Sequence, residues 1–326
     1  MQAHCHKLIE SQTAVLDKEF PGILEKYPIS KYISHLSNTP KYHIAKYISG
    51  DLKKLLHNIS QDYSNIGLDT YHKLVLLHLI QHALEQEHKL ILPETIKDYY
   101  LEYYHVILRD IETNKHYSGK YLLSNERFSY YLGICQQKMI PTGVPIVNLN
   151  CLSPLGTAYY LIKREGLIWG LKNVWPLLYT TLTMRPFFEM HINIFDRFLM
   201  KNFNLNGWCE SYIKLAQILK KNKFMKGIYG ASWFFDPQLK EVSPEISYIK
   251  DLADEIGAFS INSGVYKHST ITALFMNKHR QKLYDEGKYI PQNYMVFIPR
   301  HKLLKWGAKQ RAQIKTEERE LSFSLE

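Results

Sequence analysis

The sequence predicts an α+β protein, with a helical N-terminal half followed by a mixed sheet in the C-terminal half. Two observations lead to this prediction. Up to about residue 140, apolar residues recur at three- and four-residue steps, which is the period of a helix. Beyond that point, short apolar and aromatic runs alternate with amphipathic segments, the order expected of helices packed on a sheet. We therefore divide the chain into a helical region (1–140), an α/β domain (141–315) and a tail (316–326).

Composition limits the classes of partner. The chain has 326 residues and a formal net charge of +10. Its lysines are spread along the chain and far outnumber its arginines, so we expect no dedicated nucleic-acid groove, because such grooves favour clustered arginine. The four cysteines are scattered, and the start lacks the apolar core of a signal peptide. These features predict a reduced, cytoplasmic protein.

The helical region contains a predicted hairpin over 71–90 and 94–112, which carries two Glu-x-x-His units. The units are Glu85 with His88, and Glu102 with His105. On a helix this spacing aims both side chains off one face, as in carboxylate-bridged di-metal bundles. A di-iron oxygenase or hydrolase is therefore an alternative function. Since chance matches are common among 15 histidines, we favour a solvated hairpin face and assign no metal.

The first strands are predicted after residue 140. A turn and strand fit 140–150, and an apolar helical pattern fills 157–182. That helix includes Trp169, Lys172 and Trp175, which leaves peripheral membrane contact open, although a buried helix is favoured.

A second strand is predicted over 185–194. Its alternation places Glu189 and His191 side by side on one face. A carboxylate beside an imidazole can act as a general-base pair, while an ordinary structural hydrogen bond is the favoured alternative.

The stretch from Lys226 to Gly257 organises the C-terminal half. An aromatic and β-branched run over 226–235 predicts a buried central strand, closed by Asp236 before a proline. Ser243 then offers a side-chain oxygen as the N-cap of a helix over 244–256. The proline that follows it fits the first position of that helix. A strand followed by a helix N-terminus is a place where an anion can bind.

The order of elements continues with a strand over 258–262, a helix over 270–286 and a strand over 292–298. This succession resembles the second half of the GNAT-type acyl-CoA N-acyltransferase fold. The resemblance implies a central strand that splays from its neighbour, with the pantetheine of the cofactor along its edge and the pyrophosphate on the next helix. The residues it implies for cofactor binding are Phe234 and Phe235 beside the pantetheine, and Ser243, Ile246 and Ser247 at the phosphates.

The segment Leu283-Tyr-Asp-Glu-Gly-Lys-Tyr289 is similar to the family's Leu-Tyr-Glu-Lys-Leu-Gly-Phe ending. The resemblance implies that Tyr284 protonates the departing thiolate. The family's glycine-containing phosphate loop has no counterpart in the residues before Ile246. The segment from Gly230 to Pro237, with the later Ser243-Pro-Glu245, also looks like part of a bacterial protein group without assigned function.

These observations predict an acyltransferase that uses an acyl thioester, carried by CoA or by acyl carrier protein, and a small-molecule or lipid amine acceptor. The helical region would supply the acceptor or acyl pocket. Asp236, Glu189 and His191 are the candidates for the base that takes the proton of the amine. A non-catalytic binding or host-interaction protein is the remaining alternative.

Overall fold

The computed structural model describes residues 1–37, 49–86, 88–150, 168, 187–194, 196–275 and 277–324, with side chains described for all but 150, 315 and 317–324. The helix predicted over 157–182, apart from position 168, lies outside the described residues. The chain divides into two compact units. The first comprises Met1–Pro141 and Asn193–Lys201, and the second comprises Thr142–Ile192 and Asn202–Glu326.

The first unit is helical, as predicted for the N-terminal half. Its described elements are α1 (Gln2–Glu19), α2 (Ile23–Lys26), α3 (Ile29–Ser37), α4 (Gly50–Glu85), α5 (Glu94–Thr113), α6 (Glu126–Cys135), β1 (Met139–Pro141) and α7 (Arg197–Met200). Helix α4 is interrupted at Ser64, which has a φ of 61°. It ends five residues before its predicted end at Leu90, because Gln86 is extended (φ −108°, ψ 146°).

A buried ion pair attaches a loop to α4. Lys73 Nζ lies 2.8 Å from Asp69 Oδ2, and neither side chain is exposed (0% for both). Lys73 also donates hydrogen bonds to the carbonyls of Lys115 and His116. Two charges removed from water are stable only when such partners surround them, so this pair holds the 114–121 segment in place.

The second unit contains a mixed sheet with helices, which confirms the predicted α+β class. Its described elements are β2 (Ile146–Asn150), β3 (Phe187–His191), α8 (Leu205–Lys221), β4 (Gly227–Ser232), a 3₁₀ turn (Trp233–Phe235), α9 (Leu239–Val242), α10 (Pro244–Ile256), β5 (Phe259–Gly264), α11 (Lys267–Leu274), α12 (Lys278–Asp285), β6 (Asn293–Pro299) and α13 (Arg300–Ser324). Within this unit the strands lie in the order β2-β3-β4-β6-β5. Strands β3 and β4 are parallel, whereas the β2–β3, β4–β6 and β5–β6 pairs are antiparallel.

Two elements of the second unit differ from their predictions. The central strand ends at Ser232 rather than at 235, because the Ser232 hydroxyl accepts the amide of Phe234 and starts the 3₁₀ turn. The helix predicted over 270–286 is two helices, α11 and α12, because the Asn277 side chain caps the second one. The last helix, α13, ends at Ser324.

The sheet has a helix-covered face and an aromatic face. Helices α10 and α13 pack on β6, and α13 also packs on β4. The aromatic face carries a buried cluster of Phe187, Tyr229, Ile261 and Phe297. Because side chains alternate along a strand, Glu189 and His191 share the face of Phe187, as predicted. Among the described helices, none has both the length and the apolar character needed to cross a bilayer.

Candidate functional site

The parallel strands β3 and β4 bring their carboxyl ends to the same edge of the sheet. Their ladder stops at the pair Met190 and Gly230, whereas β4 continues along β6 as far as Ser232. Ala231 and Ser232 therefore have a partner on one side only, among the described strands. Ala231 is exposed although β4 is central in the sheet. Among the residues that the structure describes, the end of β4 thus presents an open backbone edge, which an extended ligand can pair with.

Glu189 and His191 lie on β3 beside this edge. His191 Nε2 is 3.7 Å from Glu189 Oε2, and the two side chains are 13% and 23% exposed, respectively. The same nitrogen lies 3.1 Å from Asn148 Oδ1, and Asn148 stands opposite Glu189 in the β2–β3 register. One imidazole nitrogen of His191 therefore faces both a carboxylate oxygen and an amide oxygen.

Arg280 places a buried positive charge at the end of β4. The side chain is 7% exposed, and its guanidinium carbon lies 4.9 Å from the ring centroid of Trp233. Nε donates to the carbonyl of Ala273 at 2.6 Å, and Nη1 donates to Ser243 Oγ at 2.8 Å. None of the described carboxylates lies within 4 Å of it. Burial lowers the pKa of this guanidinium, and the nearby Tyr289 and Glu245 act in the opposite direction.

Helix α10 begins and ends where the sequence predicted. Pro244 is its first residue, and Gly257 ends it in the left-handed conformation (φ 90°, ψ 39°). Ser243 precedes the helix but does not cap it through its side chain. The predicted capping bond was wrong, since the Ser243 hydroxyl accepts from Arg280 and from no amide of the helix. As a result, the first turn of α10 carries its positive dipole end next to a guanidinium.

Asp236 has both carboxylate oxygens occupied by backbone amides. Oδ1 accepts from Gln238 at 3.0 Å, and Oδ2 accepts from Gln292 at 2.9 Å. The residue is 1% exposed. Burial raises the pKa of this carboxyl, and the two amides act in the opposite direction. Its contacts are those of a group that braces the turn after β4 against the start of β6.

The predicted pantetheine contacts, Phe234 and Phe235, lie in the 3₁₀ turn and not in the strand. Phe234 is 7% exposed and Phe235 is 1% exposed. The ring of Phe234 stacks on that of Trp233, with centroids 4.1 Å apart. These rings support the position of Trp233 beneath Arg280.

The other predicted residues lie on α10 and α12. Ile246 and Ser247 are half-buried in the first two turns of α10, and Ser247 Oγ donates to the carbonyl of Pro244 at 3.1 Å. Tyr284, on α12, is 38% exposed. It lines a groove of about 630 Å³ together with Val265 and other residues of α11 and α12. Tyr284 thus lies on α12, whereas Glu189 and His191 lie on β3.

Comparison with known protein families and with curated proteins finds no match. Among solved structures, an acyltransferase in complex with decanoyl-CoA is similar to this chain at 12% identity and a TM-score of 0.42, covering 89% of this chain and 99% of that chain. An acyltransferase in complex with CoA and 10C-teicoplanin is similar at 12% identity and a TM-score of 0.40, covering 79% and 83%. Because this likeness is loose, we interpret the site from its own geometry.

The four residues of the di-metal alternative do not converge. Helix α4 ends at Glu85, so His88 is not on a helical face with it, and His88 Nδ1 accepts the amide of Leu90. Glu102 is exposed, and His105 packs against another histidine, His4, with ring centroids 5.2 Å apart. Among the residues that the structure describes, no group of three or more His, Cys, Asp or Glu could hold a metal ion. The premise that both units lie on helical faces was wrong.

Asn148 and Arg280 were not recognised from the sequence. Asn148 is 43 residues from His191, and the partners of Arg280 come from three separate elements. Nothing in the local pattern around either residue shows such contacts, because strand register and helix packing create them.

Proposed function

We propose that the protein is an acyltransferase that moves an acyl group from an acyl thioester, carried by CoA or acyl carrier protein, to an amine acceptor. The observation that carries this proposal is the open edge of β4 at Ala231 and Ser232, next to the Glu189–His191 pair. A pantetheine arm contains two amides, so it can pair with such an edge as an added strand does. Its thioester would then lie near a group able to accept a proton.

The reaction requires one proton to leave the amine and one to reach the sulfur. The nitrogen attacks the thioester carbonyl, the C–S bond breaks, and the products are an amide and a thiol. In this proposal His191 takes the proton of the amine, and Glu189 stabilises the imidazolium. Tyr284 is the acid implied by the family resemblance, and it donates the proton to the thiolate. Asp236 is a less suitable base, because both of its oxygens already accept amides.

In this proposal the phosphates of the carrier bind after β4, where two positive features lie close together. The start of α10 presents the positive end of a helix dipole, and the Arg280 guanidinium lies at Ser243 beside it. Trp233, which follows the open edge directly, packs on the same guanidinium. In this proposal the ligand runs from the open edge of β4 to the Arg280 guanidinium, and Ile246 and Ser247 lie at its phosphate end.

The proposal is tested by binding and by turnover. Acyl-CoA of several chain lengths should raise the melting temperature of the purified protein, since about 2.7 kcal/mol of stabilisation is expected at 100 times the dissociation constant. With an amine present, free thiol should appear. Glu189→Gln and His191→Asn should each lower turnover by roughly 10²–10⁴-fold.

The matched control is Glu210→Gln, because the Glu210 side chain is 65% exposed in a surface pair with Lys214. It should leave turnover unchanged. A protein that shows no thermal shift and releases no thiol would refute the transferase and leave the non-catalytic binding protein as the better proposal. Metal analysis of the same sample tests the di-metal alternative directly.

A further inference from the structure

The groove on α11 and α12 exposes an unusual amount of apolar surface. Val265, Ile271 and Phe275 line it and are 53%, 57% and 52% exposed. Two further apolar side chains in the same part of the chain, Tyr266 and Ile290, are 42% and 47% exposed. Soluble surfaces rarely group such residues unless they bind a partner. We call the groove-lining residues Val265, Ile271, Leu274 and Phe275 the apolar patch.

Positive charge surrounds the apolar patch. Between residues 265 and 290 the exposed charged side chains are four Lys against one Asp and one Glu. Lys267, which lines the groove, and Lys278 are exposed and have no described carboxylate within 4 Å. Lys282 and Lys288 lie 3.9 Å and 2.7 Å from one shared acid, Glu286. The surface therefore has an excess of positive charge around its apolar residues.

We infer that the apolar patch and its lysines form a surface that docks on an anionic lipid bilayer. Half-exposed aliphatic and aromatic side chains can enter the boundary between headgroups and acyl chains, while lysines on long stems reach the anionic headgroups. Each lysine near such a surface contributes attraction. A bilayer requires no shape complementarity, which suits two eight-residue helices that present separate apolar side chains.

The apolar patch begins at the end of the sheet that carries the proposed thioester site. Strand β5 ends at Gly264, opposite Asn293, one residue before Tyr294, which pairs with Ser232 at the open end of β4. The patch follows directly after Gly264, so it starts at the same end of the sheet as the proposed thioester site. A protein docked through the patch would therefore have the end of β5 at Gly264 close to the lipid.

The experiment is co-sedimentation of the full chain with sucrose-loaded vesicles. Vesicles of phosphatidylcholine with 30% phosphatidylserine should bind the protein at least tenfold better than phosphatidylcholine alone. Ile271→Ser and Phe275→Ser should each lower binding about tenfold, and Lys267→Gln and Lys278→Gln about fivefold each. Added salt should weaken the lysine contribution.

Phe224→Ser and Lys223→Gln are the matched controls and should bind as the unchanged protein does. Phe224 is 48% exposed and precedes Gly227, at the opposite end of β4. Equal binding to both vesicle types, or no loss in the patch variants, would overturn the inference. So would self-association of the protein that Phe275→Ser abolishes, since the patch would then be a subunit interface. Vesicle binding needs no thioester, so its failure would leave the acyltransferase proposal standing.

Discussion

Arg280 donates a 2.8 Å hydrogen bond to the hydroxyl of Ser243, 37 residues earlier in the chain. The contact joins α12 to the start of α10 through a serine whose side chain does not cap the helix. It also places a guanidinium that is 7% exposed at the positive end of a helix dipole. Two positive features at one point favour an anion there.

Replacing Arg280 tests the phosphate end of the proposed site. Arg280→Gln should weaken acyl-CoA binding by roughly tenfold to a hundredfold, because a charge-assisted hydrogen bond contributes about 1.5–3 kcal/mol. Titration calorimetry measures the change. Arg109→Gln is the control, since Arg109 forms an exposed surface pair with Glu112. Unchanged affinity in Arg280→Gln would remove this residue from the site.

Asp236→Asn separates a structural role from a catalytic one. The variant should lower the free energy of unfolding by about 1–3 kcal/mol, because an amide side chain cannot accept from both backbone amides. The folded pKa of Asp236 is raised, so the wild type loses stability as pH rises from the unfolded value through the folded one. The variant should lack this loss in urea unfolding. A large drop in turnover at unchanged stability would instead make Asp236 the base.

Tyr284→Phe tests the acid implied by the family resemblance. Loss of the hydroxyl should slow thiol release while leaving acyl-CoA affinity unchanged, because the proton is needed only as the C–S bond breaks. Tyr266→Phe is the control, since Tyr266 is similarly exposed at 42%. Equal rates for the wild type and Tyr284→Phe would exclude Tyr284 from the mechanism.

Lys73→Met should be strongly destabilising, because it leaves Asp69 as an unpaired buried charge. A loss of about 3–5 kcal/mol is expected in the free energy of unfolding. The double variant Asp69→Leu with Lys73→Met should recover part of that loss, since no buried charge remains. If the double variant is no more stable than Lys73→Met, the hydrogen bonds to the 114–121 segment are the dominant contribution.

The burial of His72 predicts that the stability of the protein depends on pH. Burial lowers its pKa from 6.5 to about 3, and its Nε2 has no hydrogen-bond partner among the described residues. The unfolded chain therefore binds the proton first, and stability falls as pH drops from 6.5 towards 3. The slope attributable to this group approaches 1.4 kcal/mol per pH unit. His72→Asn, compared with the exposed His57→Asn, should show a flatter profile in urea unfolding between pH 5 and 7.

The local signals were reliable where local chemistry decides the structure. Helix α10 starts at Pro244 and stops at Gly257 as predicted, because a proline fits the first helical turn and a glycine accepts positive φ. The Glu189–His191 pair was also visible, since strand alternation depends only on the nearest residues. The split between α11 and α12 was missed, because the capping asparagine, Asn277, lies inside an otherwise helical pattern.

The sequence alone determined the α+β class, the succession of β4, α10 and β5, and the neighbouring carboxylate and imidazole. The tertiary structure decided the parallel pairing of β3 with β4, the open edge at Ala231, and the partners Asn148 and Arg280. The physical reason is how far apart in the sequence the interacting residues lie. Helix caps and strand alternation depend on residues within a few positions, whereas register and the burial of a charge depend on segments that are tens of residues apart and meet only in the folded chain.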